Sequence, residues 1–268
     1  MEPFVVSEGT GPVILGMPHV GTDIPADLAE HLNETGRAIA DTDWWIDRLY
    51  DGLLENATVV KATFSRYVID ANRDPSGASL YPGQNTTGVC PTTTFDGDPI
   101  YLDGQEPGDD EIAERTLTYH TAYHDALTGQ IERVKARHGV TVLYDCHSIR
   151  SNVPYLFDGQ LPVFNIGSNG GKTCAAEIEQ AVVSICSGAG GFDFALNGRF
   201  KGGWTTRTYG QPATGVHAIQ MEMGQRAYME ETPPWTYRED RAGLIRPYLK
   251  DLLTRLERLA LDGNLYSS

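Results

Sequence analysis

Two histidines each leave an apolar run that has the character of a strand. His19 follows Val13 to Gly16 through Met17-Pro18, and His147 follows Val140 to Tyr144 through Asp145-Cys146. If those strands are neighbours the two imidazoles lie side by side, a pairing that suits a zinc ion and asks for a third ligand. Asp43 is the best-placed carboxylate. It falls on the stripe Ile39, Ile46, Tyr50, Leu53, whose helical spacing points it at the interior, where an unpaired charge is costly. Asp47, one turn further, is the alternative, rotated toward the polar edge. A hydrolytic site also needs a group to take a proton from water and pass it on. Glu222, near the end of a strand over Val216 to Met223, fits that role. Arg66, Asn72, Arg73 and Arg150 lie in or just after strands, and guanidinium forks match carboxylates, so they point to an anionic ligand. Taken singly, each of these is more often a structural residue: a hydrogen-bonded histidine, a strand-end ion pair of Glu222 with Arg226, a surface arginine. The expectation rests on their convergence.

Three further signals are weaker. His120 and His124 stand four apart on a helix, but Thr121 follows where a zinc protease has its glutamate, and capping or core hydrogen bonds are the commoner use of such a pair. The run Asn197-Gly198-Arg199-Phe200-Lys201-Gly202-Gly203-Trp204, with Arg207 close behind, carries glycines and cations as an anion-binding loop would, without the spacing of a P-loop or a dinucleotide fingerprint. Ser148 has no G-x-S-x-G around it, which argues against a serine hydrolase.

The elements that must position these residues alternate between strand and helix. An amphipathic helix is expected from about 33 to 54, strands over 57 to 64 and 66 to 71, and a long glycine- and proline-rich loop from 75 to 108. A long helix follows over 110 to 137, closed by Gly139 in a left-handed cap, then the strand that delivers His147. Further on come a strand over 162 to 166, a helix over 172 to 187, the Glu222 strand, and a last helix over 239 to 261, bent or interrupted at Pro247. This order implies an α/β fold in three layers, αβα, with a mixed, largely parallel sheet covered on both faces. Ligands of such sheets bind outside the carboxyl ends of the strands, where the candidates above are found.

The 268 residues suit one domain spanning 1 to 268. A formal net charge of −15 excludes nucleic acid and anionic membrane as partners, since both require a basic surface. It also means that a site for a small anion must gather arginines locally. No apolar run is long enough to span a bilayer, the start Met1-Glu2-Pro3-Phe4 has no signal-peptide character, and Cys90, Cys146, Cys174 and Cys186 are scattered without metal or disulfide spacing. The expected location is the cytoplasm.

Five segments, taken in order, resemble the N-formylglutamate amidohydrolase family. They are residues 18–25 (Pro18-His19-Val20-Gly21-Thr22-Asp23-Ile24-Pro25), Asp41-Thr42-Asp43-Trp44, the stretch Ser65 to Arg73, Asp145-Cys146-His147-Ser148, and Asn197 to Gly203. The resemblance implies zinc-dependent hydrolysis of N-formyl-L-glutamate to formate and L-glutamate, the last step of one route of histidine degradation. It also implies a fold like that of zinc exopeptidases and of acylases that cleave N-acyl aspartate or N-succinylglutamate. In those relatives two histidines and an acidic residue hold zinc, an Asn-Arg pair binds the substrate carboxylate, and a later glutamate is the base. His19, His147, Asn72-Arg73 and Glu222 occupy the matching places. The relatives' compact H-x-x-E is broken, with Thr22 in place of the glutamate, so the acidic ligand comes from elsewhere, Asp43 or Asp47. Arg66 or Arg150 would stabilise the oxyanion, and the remaining arginines, Arg199 and Arg207 among them, would hold a small anionic N-acyl amino acid.

Overall fold

The β-strand Thr141–Ile149 (β4) is buried at all nine positions, as a strand covered on both faces must be. Its side chains alternate. Val142, Tyr144 and Cys146 enter one apolar core with Leu249, Leu252 and Leu256, while Leu143 enters a second core with Tyr123, Leu127 and Ile131. The odd positions continue with Asp145 and His147, so the period of two that builds the cores also brings two polar side chains to one face at the end of the strand.

The computed structural model describes residues 2–79, 83, 85–263 and 265. Its strands are Phe4–Ser7 (β1), Val13–Met17 (β2), Thr58–Ala62 (β3), β4, Phe164–Gly167 (β5), Phe194–Leu196 (β6) and Val216–Gly224 (β7). They form one sheet in the order β1-β3-β2-β4-β7-β5-β6. The central four, β3, β2, β4 and β7, run parallel, whereas β1 is antiparallel to β3 and β5 antiparallel to β7. The helices are Ala26–His31 (α1), Glu34–Arg37 (α2), Ile46–Tyr50 (α3), Asp109–Arg115 (α4), Ala122–His138 (α5), Ala176–Gly188 (α6), Trp204–Tyr209 (α7) and Glu239–Leu261 (α8). One face of the sheet packs on α5, the other on α3, α6 and α8, which makes the three layers. No described helix is long and apolar enough to cross a membrane.

Several expectations hold closely. The helix over 110 to 137 is α4 and α5 joined through a wide π turn at Thr116–Thr121, and Gly139 caps it at φ 77°. The last helix has the expected bounds, Glu239–Leu261, but the interruption expected at Pro247 does not occur: the helix continues through it. Two elements differ. No continuous helix spans 33 to 54: α2 stops at Arg37, α3 starts at Ile46, and between them Ile39 and Trp45 take left-handed φ values of 43° and 64°. The segment closes only short three-residue turns, such as Thr42 N–H to the Ile39 carbonyl and Ile46 N–H to that of Asp43, while Asp43 N–H goes to the His19 carbonyl at 3.0 Å and the carbonyls of Thr42 and Trp44 accept from the Gln225 and Tyr228 side chains, so the helical ladder is broken. Residues 66 to 71, apolar and β-branched, form no strand: they are buried in an irregular path whose carbonyls bond to side chains. The strand of His147, in contrast, runs five residues beyond Tyr144, so that His147 lies inside it.

Candidate active site

His19 sits two residues past the end of β2, and β2 pairs with β4, so the two histidines are adjacent as the sheet order requires. Their Nδ1 atoms are 3.2 Å apart. The Asp43 Oδ2 atom lies 3.2 Å from Nδ1 of His147 and 3.6 Å from Nδ1 of His19. A tetrahedral zinc with ligands at about 2.0–2.1 Å has ligand-to-ligand edges of about 3.3–3.4 Å, so these three donors have the spacing of one triangular face. All three residues are buried, and the group can hold a metal ion. Asp43 reaches this place from the irregular loop between α2 and α3, not from a helical stripe. Asp47 is elsewhere, paired with Lys61 Nζ at 3.1 Å on a half-exposed side chain.

Behind the triangle stands a second set of carboxylates. His19 Nε2 is 2.7 Å from Asp70 Oδ1, and His147 Nε2 is 3.1 Å from Asp145 Oδ1. His19 thus turns one nitrogen to the triangle and hydrogen-bonds the other to an acid, the arrangement that fixes tautomer and raises the basicity of a ligating histidine, whereas His147 Nε2 only lies close to Asp145 Oδ1, an oxygen with no hydrogen-bond partner among the described residues, and also faces the Asn72 amide. Asp70 also accepts the Asn72 backbone N–H at 2.9 Å, and Asp145 accepts the Thr206 hydroxyl at 3.0 Å. Burial would raise the Asp43 carboxyl, but Arg66, with its Nη2 2.9 Å from Oδ1, and the two histidines outweigh it and hold the group ionised well below the usual range. Burial likewise opposes the charge on Asp70, and Arg73, His19 and Arg66 overcome it. Among the described residues, Asp43, Asp70, Asp145 and Glu222 face only the guanidiniums of Arg66 and Arg73 as permanent counter-charges, an excess of negative charge that a divalent cation would balance. Replacing Asp70 with Asn should weaken metal affinity about 10- to 100-fold by releasing His19 from its orienting acid. Competition with a chelator of known affinity checks it, and unchanged affinity would remove Asp70 from this role.

Glu222 lies opposite His147 in the β4–β7 register, and Gln220, two residues back on the same face, donates to its Oε2 at 3.1 Å. It makes no ion pair with Arg226, which is engaged by Asp193 and by the Leu161 carbonyl. Burial raises the Glu222 carboxyl to about 7, against the opposing pull of His147. His19, His147 and Glu222 line a cleft of about 590 Å³ whose wall also includes Arg66, Asn72, Arg73, Phe95 and Arg199, while Asp43 is buried away from the wall. Arg73 is braced by the Thr87 carbonyl and hydroxyl, and Arg199 by the carbonyls of Leu156 and Asn85. Arg66 stacks over Phe95 at 4.9 Å, and its buried Nε has no hydrogen-bond partner among the described residues.

Two arginines expected at the site stand outside the cleft. Arg150 is drawn off by Asp96 at 2.7 Å and Asp41 at 3.4 Å, and Arg207 turns its Nε to the Gly202 carbonyl at 2.8 Å. Neither lines the wall. The residues that sequence reasoning passed over are Asp70, Asp145, Gln220 and Phe95. Asp145 and Gln220 carried a signal, since each precedes a candidate by two positions in a strand and so shares its face.

Taken together, this is an α/β enzyme with a candidate metal centre at the carboxyl ends of its parallel strands. Residues 11–229 match the family model described as N-formylglutamate amidohydrolase. The chain belongs to that family and is thus an amidohydrolase that acts on a linear amide. It is 43% identical over 256 residues to the N-formylglutamate deformylase of Pseudomonas aeruginosa, covering 95% of this chain and 96% of that one. With the N-formylglutamate deformylase of Pseudomonas putida it shares 42% identity over 250 residues, 93% of each chain. Among solved structures it is similar to N-formylglutamate amidohydrolase from Ralstonia eutropha JMP134, with a TM-score of 0.81 and 27% identity over 98% of this chain and 100% of that one.

Proposed function

We propose that this protein hydrolyses N-formyl-L-glutamate to formate and L-glutamate, with one zinc ion held by His19, Asp43 and His147 and with Glu222 as the general base. The observation that carries the proposal is a cleft lined by His19, His147, Glu222 and three guanidiniums, with buried Asp43 completing the donor triangle, in an otherwise strongly acidic chain. Bound there, zinc would supply Lewis-acid chemistry, polarising the formyl carbonyl and acidifying water. Glu222 takes a proton from the attacking water and hands it to the leaving amine, a task suited to a carboxylate raised toward neutrality. The unpartnered Arg66 Nε–H is available to the oxygen on which negative charge develops. Arg73, Arg199 and Asn72 hold the two substrate carboxylates. Because protein carbonyls already brace both arginines, little side-chain freedom remains to be lost on binding. Arg150 and Arg207 have no part in this reading. The reaction would serve histidine degradation in the cytoplasm, where four free, buried cysteines are at home.

A substrate panel tests the specificity. N-formyl-L-glutamate should exceed both N-formyl-L-norvaline, which lacks the side-chain carboxylate, and N-acetyl-L-glutamate by at least about 100-fold in kcat/KM, because the analogue leaves buried guanidinium donors unpaired or strains the acyl site. A preference for N-acyl aspartates would instead make the protein a related acylase.

A further inference from the structure

Residues 67–73 carry three groups of the site: Asp70 behind His19, Asn72 beside His147, and Arg73 on the cleft wall. Yet this segment belongs to no helix or strand, so no backbone ladder holds it. Buried irregular backbone must find partners for its carbonyls elsewhere. Here three of them, at Val68, Ala71 and Arg73, receive donors from one helical stretch. Arg115 Nη1 donates to the Val68 carbonyl at 3.1 Å, His124 Nε2–H to that of Ala71 at 2.7 Å, and His120 Nε2–H to that of Arg73 at 3.0 Å.

The spacing of these donors, five residues and then four, explains the π turn between α4 and α5. Arg115 and His120 flank a turn closed by i to i+5 bonds, so the extra residue brings both onto the face that His124 reaches one ordinary turn later. The two rings also pack on Trp204, at 5.1 and 4.6 Å between centroids, and His124 Nδ1 accepts from the Tyr209 hydroxyl at 3.0 Å. Trp204 and Tyr209 are the ends of α7, and the next residue of that helix, Thr205, donates its backbone N–H to Asn72 Oδ1 at 2.9 Å. That bond leaves the Asn72 amide nitrogen facing His147 Nε2 at 3.1 Å. Burial lowers both histidines, His124 to about 3, so each stays neutral with its single N–H on a carbonyl. With both Nε2 atoms so engaged, the H-x-x-x-H pair is a backbone clamp and not a second metal site.

We infer that His120 and His124 are positioning residues: they grip the carbonyls on either side of Asn72 and thereby aim the Asn72 amide and the Arg73 guanidinium into the cleft. The inference rests on the cleft being the N-formylglutamate site, so its test needs one readout that does not depend on substrate. His120→Phe and His124→Phe keep a ring against Trp204 and remove the donor; His120→Gln and His124→Gln keep a donor. Each Phe variant should raise KM for N-formyl-L-glutamate about tenfold, the loss of roughly one hydrogen bond, with kcat moving less than KM and metal content intact. The Gln variants should return KM toward the parent value. In hydrogen–deuterium exchange, peptides covering 67–73 should exchange faster in the Phe variants, substrate present or not. Should a Phe variant not fold, His120→Asn, whose amide is too short to reach the carbonyl, repeats the test. Unchanged exchange over 67–73, or activity lost in step with melting temperature at constant KM and equally in the Gln and Phe variants, overturns the clamp. A parent protein that releases no formate would instead overturn the proposed substrate, and the exchange data would still decide the clamp.

Discussion

The Glu222→Gln protein is expected to retain its metal and to bind substrate, while kcat falls about 10²- to 10⁴-fold, the usual contribution of a positioned base. The amide preserves the size of the side chain opposite His147 and a partner for Gln220, but it cannot accept a proton from water and pass it to nitrogen. Steady-state kinetics with metal analysis of the same sample separates this from loss of the site. A kcat within about threefold of the parent would remove Glu222 as the base. The parent enzyme should show an acid limb for the same reason. The carboxylate must be ionised to act, so activity declines as pH falls through its pKa. Burial raises that pKa to about 7 from 4.5, and a neighbouring cation would draw it back, which places the limb between these values. A pH profile flat down to 4.5 would contradict it.

The Asp43→Asn protein should lose both metal and activity. Asn is of the same shape and can still accept the Ser148 backbone N–H, now 3.1 Å from Oδ2, but it brings no charge to the triangle. Several kcal/mol of charge stabilisation go with the ion, about 10³-fold or more in rate. A second cost falls on the fold. Arg66, buried, would lose the carboxylate 2.9 Å away, and breaking such a pair from one side costs on the order of 3 kcal/mol even with Asp70 nearby at 4.0 Å. The sign follows from the titration. The folded-state pKa of Asp43 lies below the ordinary aspartate value of about 3.8, so its charge contributes stability above that pH and loses it as pH falls through the folded value. Urea unfolding of the metal-free proteins at neutral pH checks this, and equal midpoints with full zinc occupancy would exclude Asp43 as a ligand.

What sequence reasoning reached was set by how local the cause was. His19, His147 and Glu222 were visible because parallel strands deliver their ends to one edge, a rule of topology that needs only the apolar runs. Asp43 was singled out for a stripe that is not a helix. It is buried all the same, because Ile46, Leu49 and Tyr50 next to it pack into the core and carry the loop inward. The failed strand over 66 to 71 has a physical cause that no window of residues contains. The carbonyls of Val68 and Ala71 are taken by Arg115 and His124 from a helix some 50 residues away, and side chains that distant leave no mark on local β-propensity. The arginines divide in the same way. Nothing adjacent in sequence separates Arg73, on the wall, from Arg150, which Asp41 and Asp96 pull away. Asp70 gave no signal because its partner, His19, follows a strand some 50 residues away, and the acid behind a ligand is recognisable only once the ligand is placed.

The most direct measurement is release of formate from N-formyl-L-glutamate by the purified protein as isolated, after complete chelation, and after restoration with zinc. The expected result is release that chelation abolishes and that returns as zinc approaches one ion per chain. Undiminished release from protein shown by elemental analysis to be free of metal would contradict a metal centre at His19, Asp43 and His147, and no formate under any of the three conditions would contradict the substrate itself.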